Sequence, residues 1–217
     1  MKLAALIILS ILTTVFFNEI EIFVRNINFT WTASKITPYL LMVFYGCFFG
    51  LIFFKSKILM SKTLKVILSF ILFVAPFSVC FAFYPIYEGD FSKEGKKAQS
   101  EIKMEEFNNI DFVVLTIPGC PFCHESISKV NLMQERTPKL KIKYIVCTSN
   151  LAAKAEYRKA LNPKIKVELG RNLTQLLSLS EGKFPCFVKI NHSKAIYKWH
   201  NNQFGTRAKD WIESNEF

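Results

Sequence analysis

Three stretches of the chain are apolar with almost no polar interruption. "LAALIILSILTTVFF" at 3–17 follows Lys2, "PYLLMVFYGCFFGLIFF" at 38–54 has no charge, and "VILSFILFVAPFSVCFAFY" at 66–84 has none. The latter two are close to the ~20 residues that cross a bilayer core as a helix. A half-buried soluble helix would keep a polar face, and these stretches have almost none. The first has the length of a signal-peptide core, but "NEIEIFV" follows it and offers no small-x-small cleavage site. An uncleaved first span over about 3–23 is therefore expected, with a cleaved signal as the alternative. Pro76 lies within the third span, where a membrane helix tolerates it and kinks.

After residue 106 the pattern changes. "IDFVVLT" at 110–116 is a short, β-branched apolar run that predicts a strand buried on both faces. "LKIKYIV" at 140–146 predicts a second strand. "PCFVKIN" and "AIYKWH" predict a hairpin around Asn191-His192-Ser193-Lys194. Helical spacing recurs in "ESISKVNLMQERT", "NLAAKAEYRKAL", "NLTQLLSLS" and "GTRAKDWIES". The predicted order is β-α-β-α-(α)-β-β-α. Residues 85–106, polar and charged with two glycines, read as a tether, partly helical from 96 onward. The division is thus 1–84 membrane region, 85–106 linker and 107–217 folded domain. The architecture is an α/β domain preceded by an all-α region of about three transmembrane helices.

Composition sharpens that division. Residues 1–90 hold 14 of the 22 phenylalanines but only 7 basic and 4 acidic residues. The remaining 21 Lys/Arg and 13 Asp/Glu lie in 91–217, leaving +8 of the net +11 there. These lysines are scattered, and no nucleic-acid motif accompanies them, so a solvated basic face near anionic lipid is expected and nucleic acid is not. Basic residues also set orientation. Lys55, Lys57, Lys62 and Lys65 lie between spans two and three without an acid, whereas Glu19, Glu21, Arg25 and Lys35 cancel between spans one and two. By the positive-inside rule the lysine loop is cytoplasmic, which places everything after residue 85 outside. Trp31, Tyr39, Tyr84 and Tyr87 then fall near the outer interface.

Candidate chemistry centres on "IPGCPFCHES" at 117–126. Of six cysteines, only Cys120 and Cys123 are closely spaced, so a disulfide framework is excluded and one functional pair remains. Cys120 sits where the first strand gives way to a helix, with Pro121 in the first turn, where proline is welcome. The pair reads as a redox dithiol, half of a metal site, or two core thiols. A structural zinc site needs four ligands, and no second CxxC or His-x-x-x-His occurs. Copper or zinc on Cys120, Cys123 and His124 is the metal alternative. His124, about 100° round the helix from Cys123, reads more simply as a partly exposed residue. Cys147 and Cys186 read as small buried hydrophobes, and Cys47 and Cys80 as lipid-buried thiols.

The strand leading into Cys120-Pro121-Phe122-Cys123, and the Phe184-Pro185 step 62 residues later that opens a hairpin, resemble the thioredoxin-fold family over 107–217, about half the chain. The resemblance implies a cis Phe184–Pro185 bond beside the sulfurs, and a thiol–disulfide oxidoreductase that needs no cofactor and no metal. Cys120 is then the nucleophile, favoured as thiolate by the helix N-terminus, and Cys123 the resolving thiol. Pro121, Phe122, Phe184 and Pro185 would meet the substrate. The implied partners are protein thiols or disulfides, a membrane or periplasmic partner that recycles the dithiol, and membrane lipid. The implied location is a bacterial inner membrane with the domain in the periplasm. Two departures stand out: thioredoxin keeps a buried acid six positions before its first cysteine, where this chain has Val114, and strongly oxidising relatives place His where Phe122 stands. Proton transfer to Cys123 must then use water or another group such as Glu125. A thioredoxin-fold metallochaperone and a non-enzymatic membrane accessory subunit are the competing readings.

Overall fold

The computed structural model describes residues 2–57, 59–86, 88–91, 95–98 and 105–214, and the chain divides between residues 87 and 88 into two compact units. Tyr87 and much of the expected tether (92–94 and 99–104) lie outside the described residues.

The first unit is helical: α1 (Lys2–Val15), α2 (Phe17–Asn26), α3 (Trp31–Phe54) and α4 (Lys62–Phe83). With 24 and 22 residues, α3 and α4 rise about 36 and 33 Å, enough for a ~30 Å hydrocarbon core. They are the two single helices among the described residues long and apolar enough to cross a membrane. The pair α1 and α2, bent by 75°, makes a third only if taken as one span. The region of the expected first span, about 3–23, thus bends at Phe16, ahead of Glu19, Glu21 and Arg25. These charges do not belong in hydrocarbon. On α2, Arg25 instead pairs with Glu21 at 2.7 Å and lies 4.6 Å over the Trp31 ring.

α3 begins at Trp31, seven residues before the apolar stretch, because the Thr30 hydroxyl accepts the Ala33 N–H at 3.1 Å and caps it. Its Gly46 and Gly50 face α4 closely. A Cβ on Gly46 would lie 2.0 Å from the backbone oxygen of Phe73, and one on Gly50 3.0 Å from that of Ser69. The two backbones approach through the small-xxx-small spacing that membrane helices favour. Phe17, Tyr39, Met42 and Cys80 are buried together, and the Tyr39 hydroxyl donates to the Tyr84 carbonyl at 2.6 Å.

The second unit runs α5 (Glu88–Phe91), β1 (Lys96–Lys97), β2 (Phe112–Thr116), α6 (Pro121–Arg136), β3 (Ile142–Val146), α7 (Leu151–Ala160), β4 (Lys166–Leu169), α8 (Leu173–Ser180), β5 (Cys186–Asn191), β6 (Lys194–His200) and α9 (Thr206–Glu213). One sheet has the order β1-β6-β5-β2-β3-β4. The central β2 runs parallel to β3 and antiparallel to β5, β4 adds parallel to β3, and β5 and β6 form the hairpin. As expected, β2 is buried along its whole length.

Two strands lie outside the expected order. β4 is a short edge strand whose alternation, Ile165 and Val167 buried against exposed Lys164 and Lys166, passes for a loop between helices. β1 comes from the expected tether and pairs with β6 at Lys96↔Lys198, so residues 96–97 are strand rather than helix.

Sheet register sorts the core into two layers. Val113, Leu115, Ile145, Cys186 and Val188 pack with Leu176 and Leu179 of α8. On the opposite face Phe112, Phe187 and Phe204 stack, the last two 4.1 Å apart. α6 lies on that face, its Ser126 hydroxyl 2.7 Å from the Tyr144 hydroxyl.

Candidate active site

The site begins where β2 ends. Between Thr116 and α6, Gly119 takes φ of +66°; an added Cβ would meet nothing within 4 Å, so backbone conformation, not space, calls for glycine. Cys120 is the N-cap of α6 in extended conformation, followed by Pro121 in the first turn. Its Sγ accepts the Cys123 N–H at 3.2 Å, so the sulfur does for this helix what a serine or aspartate oxygen does elsewhere. Pro121 brings no N–H, but the remaining first-turn N–H groups and the positive end of the dipole favour thiolate at this place.

Cys120 and Cys123 are joined in a disulfide, with their Cα atoms 5.2 Å apart. The two sulfurs differ in access: Cys123 is fully buried and Cys120 half-buried. Phe122, between them in sequence, is 55% exposed. Across from them, the Phe184–Pro185 bond is cis, and the Phe184 carbonyl oxygen lies 4.0 Å from the Cys120 Sγ. Phe184 is half-buried and Pro185 buried. The fold thus brings the 184–185 step to the Cys120 sulfur from 64 residues away.

Val114 is buried and paired between Tyr144 and Phe187, so no carboxylate lies at that point of β2. Glu125 is exposed. The polar side chains that reach the backbone of Cys123 belong to a pair which sequence reasoning missed. Ser126 donates to the Cys123 carbonyl at 2.7 Å and shares a 2.7 Å hydrogen bond with the Tyr144 hydroxyl. Burial pushes the Tyr144 phenol well up, so it stays a neutral hydroxyl. Neither residue stands out in sequence, because a serine in a helix and a tyrosine in a strand are ordinary.

His124 is turned away from a metal role. Its Nε2 lies 3.3 Å from the Glu156 carboxylate, and its ring stacks 4.9 Å from Tyr157, whose hydroxyl donates to the Ile117 carbonyl at 2.9 Å. Among the described residues, no group of three His, Cys, Asp or Glu side chains could hold a metal ion. Cys147 is half-buried and Cys186 fully buried; burial pushes both thiols up to about 12. In the first unit Cys80 is buried and Cys47 exposed.

A second missed residue is Glu181, at the C-cap of α8 with φ of +52°, just ahead of the cis-proline. A non-glycine residue in that conformation costs about 1 kcal/mol, and here the side chain makes the contacts. Its carboxylate lies 2.8 Å from the Lys198 Nζ, 3.3 Å from the Lys96 Nζ and 3.6 Å from the His200 Nε2. The lysine hydrogen bonds hold its carboxyl down at about 2. Burial holds the His200 imidazole below its ordinary value.

No family model matches the chain, and no curated protein does. Two solved structures are similar to it. A secreted disulfide oxidoreductase of Mycobacterium tuberculosis, homologous to E. coli DsbE, is 16% identical over 48% of this chain and 78% of its own, with a TM-score of 0.36. A thioredoxin-like protein from Bacteroides caccae is 12% identical over 85% of this chain and 83% of its own, with a TM-score of 0.39. The internal geometry is what assigns the fold. A parallel β-α-β unit passes into an antiparallel hairpin through a cis-proline, which faces a cysteine-capped helix across the sheet end. That is the thioredoxin arrangement, and the second unit has the thioredoxin-like fold.

Proposed function

We propose that the chain is a membrane-anchored thiol–disulfide oxidoreductase acting through Cys120 and Cys123 on the non-cytoplasmic side. One observation carries the reading: a half-buried sulfur caps a helix, bonded to a buried one, with the cis-proline step against it. In the reducing direction, the Cys120 thiolate attacks a disulfide of a protein substrate. A mixed disulfide forms and one substrate thiolate leaves. Cys123, as thiolate, then attacks the Cys120 sulfur, restoring the intramolecular disulfide and releasing the second substrate thiolate. The oxidising direction is the same sequence reversed. Pro121, Phe122, Phe184 and Pro185 are the surface that meets the substrate chain.

The anchor is the apolar helical unit, lodged in a bacterial inner membrane. The lysines at 55, 57, 62 and 65 support a cytoplasmic loop between α3 and α4 and a periplasmic second unit. This orientation does not depend on whether the bent pair α1 and α2 spans. A membrane or periplasmic redox partner recycles the dithiol. A copper or zinc carrier using His124 as third ligand is disfavoured by the engagement of that imidazole with Glu156 and Tyr157.

Trapping the intermediate tests the proposal. Cys123, one turn from Cys120, resolves the mixed disulfide with the advantage of an intramolecular attack, so the intermediate is short-lived. Cys123→Ser removes that attack. Non-reducing gels of cells carrying it should show reductant-sensitive species above 25.1 kDa that vanish when Cys120→Ser is added. If no such species forms while the purified chain retains stoichiometric copper or zinc, the oxidoreductase reading fails.

A further inference from the structure

The five residues from Glu181 to Pro185 join α8 to β5 and deliver the cis-proline to the disulfide. This connection is fastened at both ends to one strand, β6. At its far end, Cys186 pairs with His200 in the β5–β6 ladder. At its near end, the Glu181 carboxylate meets two β6 side chains, Lys198 at 2.8 Å and His200 at 3.6 Å. Between these ends the Gly182 and Lys183 N–H groups donate to the Leu177 and Ser180 carbonyls at 3.2 and 3.0 Å, which ties this stretch to α8 but not to β6. Gly182 has φ of +68° with open space around it, and Lys183 is exposed. The Lys198 side chain is only 4% exposed, and its ammonium also donates to the Leu179 carbonyl at 2.8 Å. It is a buried cation whose counter-charge is Glu181. Lys96, brought by β1 from the segment before the fold, adds a second cation at 3.3 Å. Cys186 takes no part in this as an ionised group, since its thiol is pushed well up by burial.

Two features call for a role beyond capping α8. Glycine or asparagine would take the left-handed position with less strain, yet the chain places a glutamate there. His200, 6% exposed, holds its Nε2 at 3.6 Å from the same carboxylate, farther than the two lysines at 2.8 and 3.3 Å, so the lysines make the short contacts.

We propose that Glu181 is a positioning residue for substrate binding: its bonds to Lys198 and Lys96 hold the 181–185 connection so that Phe184 and Pro185 stand at the height of the Cys120 sulfur. The proposal rests on the oxidoreductase reading above and adds to it the device that sets the substrate-presenting edge. A protein substrate must lie as an extended strand along that edge, whereas a small dithiol needs only the exposed side of the sulfur. Loosening the connection therefore penalises the first and spares the second.

The test uses the full chain in detergent, with insulin as the disulfide substrate and dithiothreitol as the electron donor. Glu181→Gln keeps size and removes charge. The expected result is a KM for insulin raised about fivefold, with kcat, the rate of direct reduction by dithiothreitol and the reduction potential of the Cys120/Cys123 pair unchanged. Lys96→Ala, at a side chain 51% exposed, keeps the Lys198–Glu181 pair and should give the same split at smaller amplitude even if Glu181→Gln folds poorly. An unchanged insulin KM in both variants, or equal loss with insulin and dithiothreitol, overturns the positioning role. A wild-type chain that exchanges with neither overturns the oxidoreductase reading, and this proposal with it.

Discussion

Reduction of the disulfide should make Cys120 the fast thiol of the second unit by a margin the structure sets. Burial pushes Cys147 and Cys186 up to about 12, so at pH 7 each is thiolate to about one part in 10⁵. An ordinary thiol near 8.5 is thiolate to about 3%, and Cys120, at a helix N-terminus with the Cys123 N–H on its sulfur, should exceed that. The population ratio is about 3,000. Intrinsic nucleophilicity runs the other way, with a Brønsted slope of about 0.4–0.5, and returns a factor of about 30–50. The net advantage of Cys120 over half-buried Cys147 is therefore about 100-fold, and larger over fully buried Cys186. The assay is iodoacetamide labelling of the reduced full chain in detergent, with site occupancies read by mass spectrometry against time. The Cys147 rate should rise tenfold per pH unit for as long as the fold survives, while the Cys120 rate levels off below pH 8.5. Labelling of Cys147 within threefold of Cys120 at pH 7 would refute the claim that the helix terminus activates one sulfur and the sheet silences the other.

Tyr144→Phe removes the 2.7 Å hydroxyl contact with Ser126 behind Cys123 and should cost about 1 kcal/mol, measured as a lower urea midpoint at unchanged slope; an unaltered midpoint would show that the pair is not structural. Glu181 titrates in the fold at about 2, below its ordinary 4.5, so its contribution is present above pH 4.5 and disappears as pH falls towards 2. In Glu181→Gln the acid-induced fall in melting temperature over that window should be shallower, and an identical profile would contradict the assignment. His200 is held below its ordinary 6.5 by burial. The unfolded chain therefore takes up that proton first and stability declines as pH drops below 6.5, a decline that His200→Phe should lessen in thermal melts. Protease added to intact spheroplasts should remove the second unit, and its survival until the membrane is lysed would reverse the orientation.

Much of this protein is legible in its sequence because the signals are local. Charge-free apolar runs announce α3 and α4, since a charged side chain is costly in hydrocarbon. A β-branched run ending in Pro-Gly-Cys-Pro announces β2 and the capped helix after it, since proline and glycine act on their own backbone. The bend at Phe16 and the short strands β1 and β4 were not legible. Two to four residues carry too little pattern, and a strand exists only where a neighbour offers its open edge, as β6 does to Lys96–Lys97 and β3 to Lys166–Leu169. The site divides in the same way. Cys120, Pro121, Phe122 and Cys123 are one word in the sequence, so their geometry follows from the helix they begin. Placing the Phe184 carbonyl 4.0 Å from a sulfur 64 residues earlier, Tyr144 against Ser126, and Glu181 between lysines from two strands needed the finished sheet. These are contacts between distant segments, and what sets them is strand order and register, to which no single stretch of the chain bears witness.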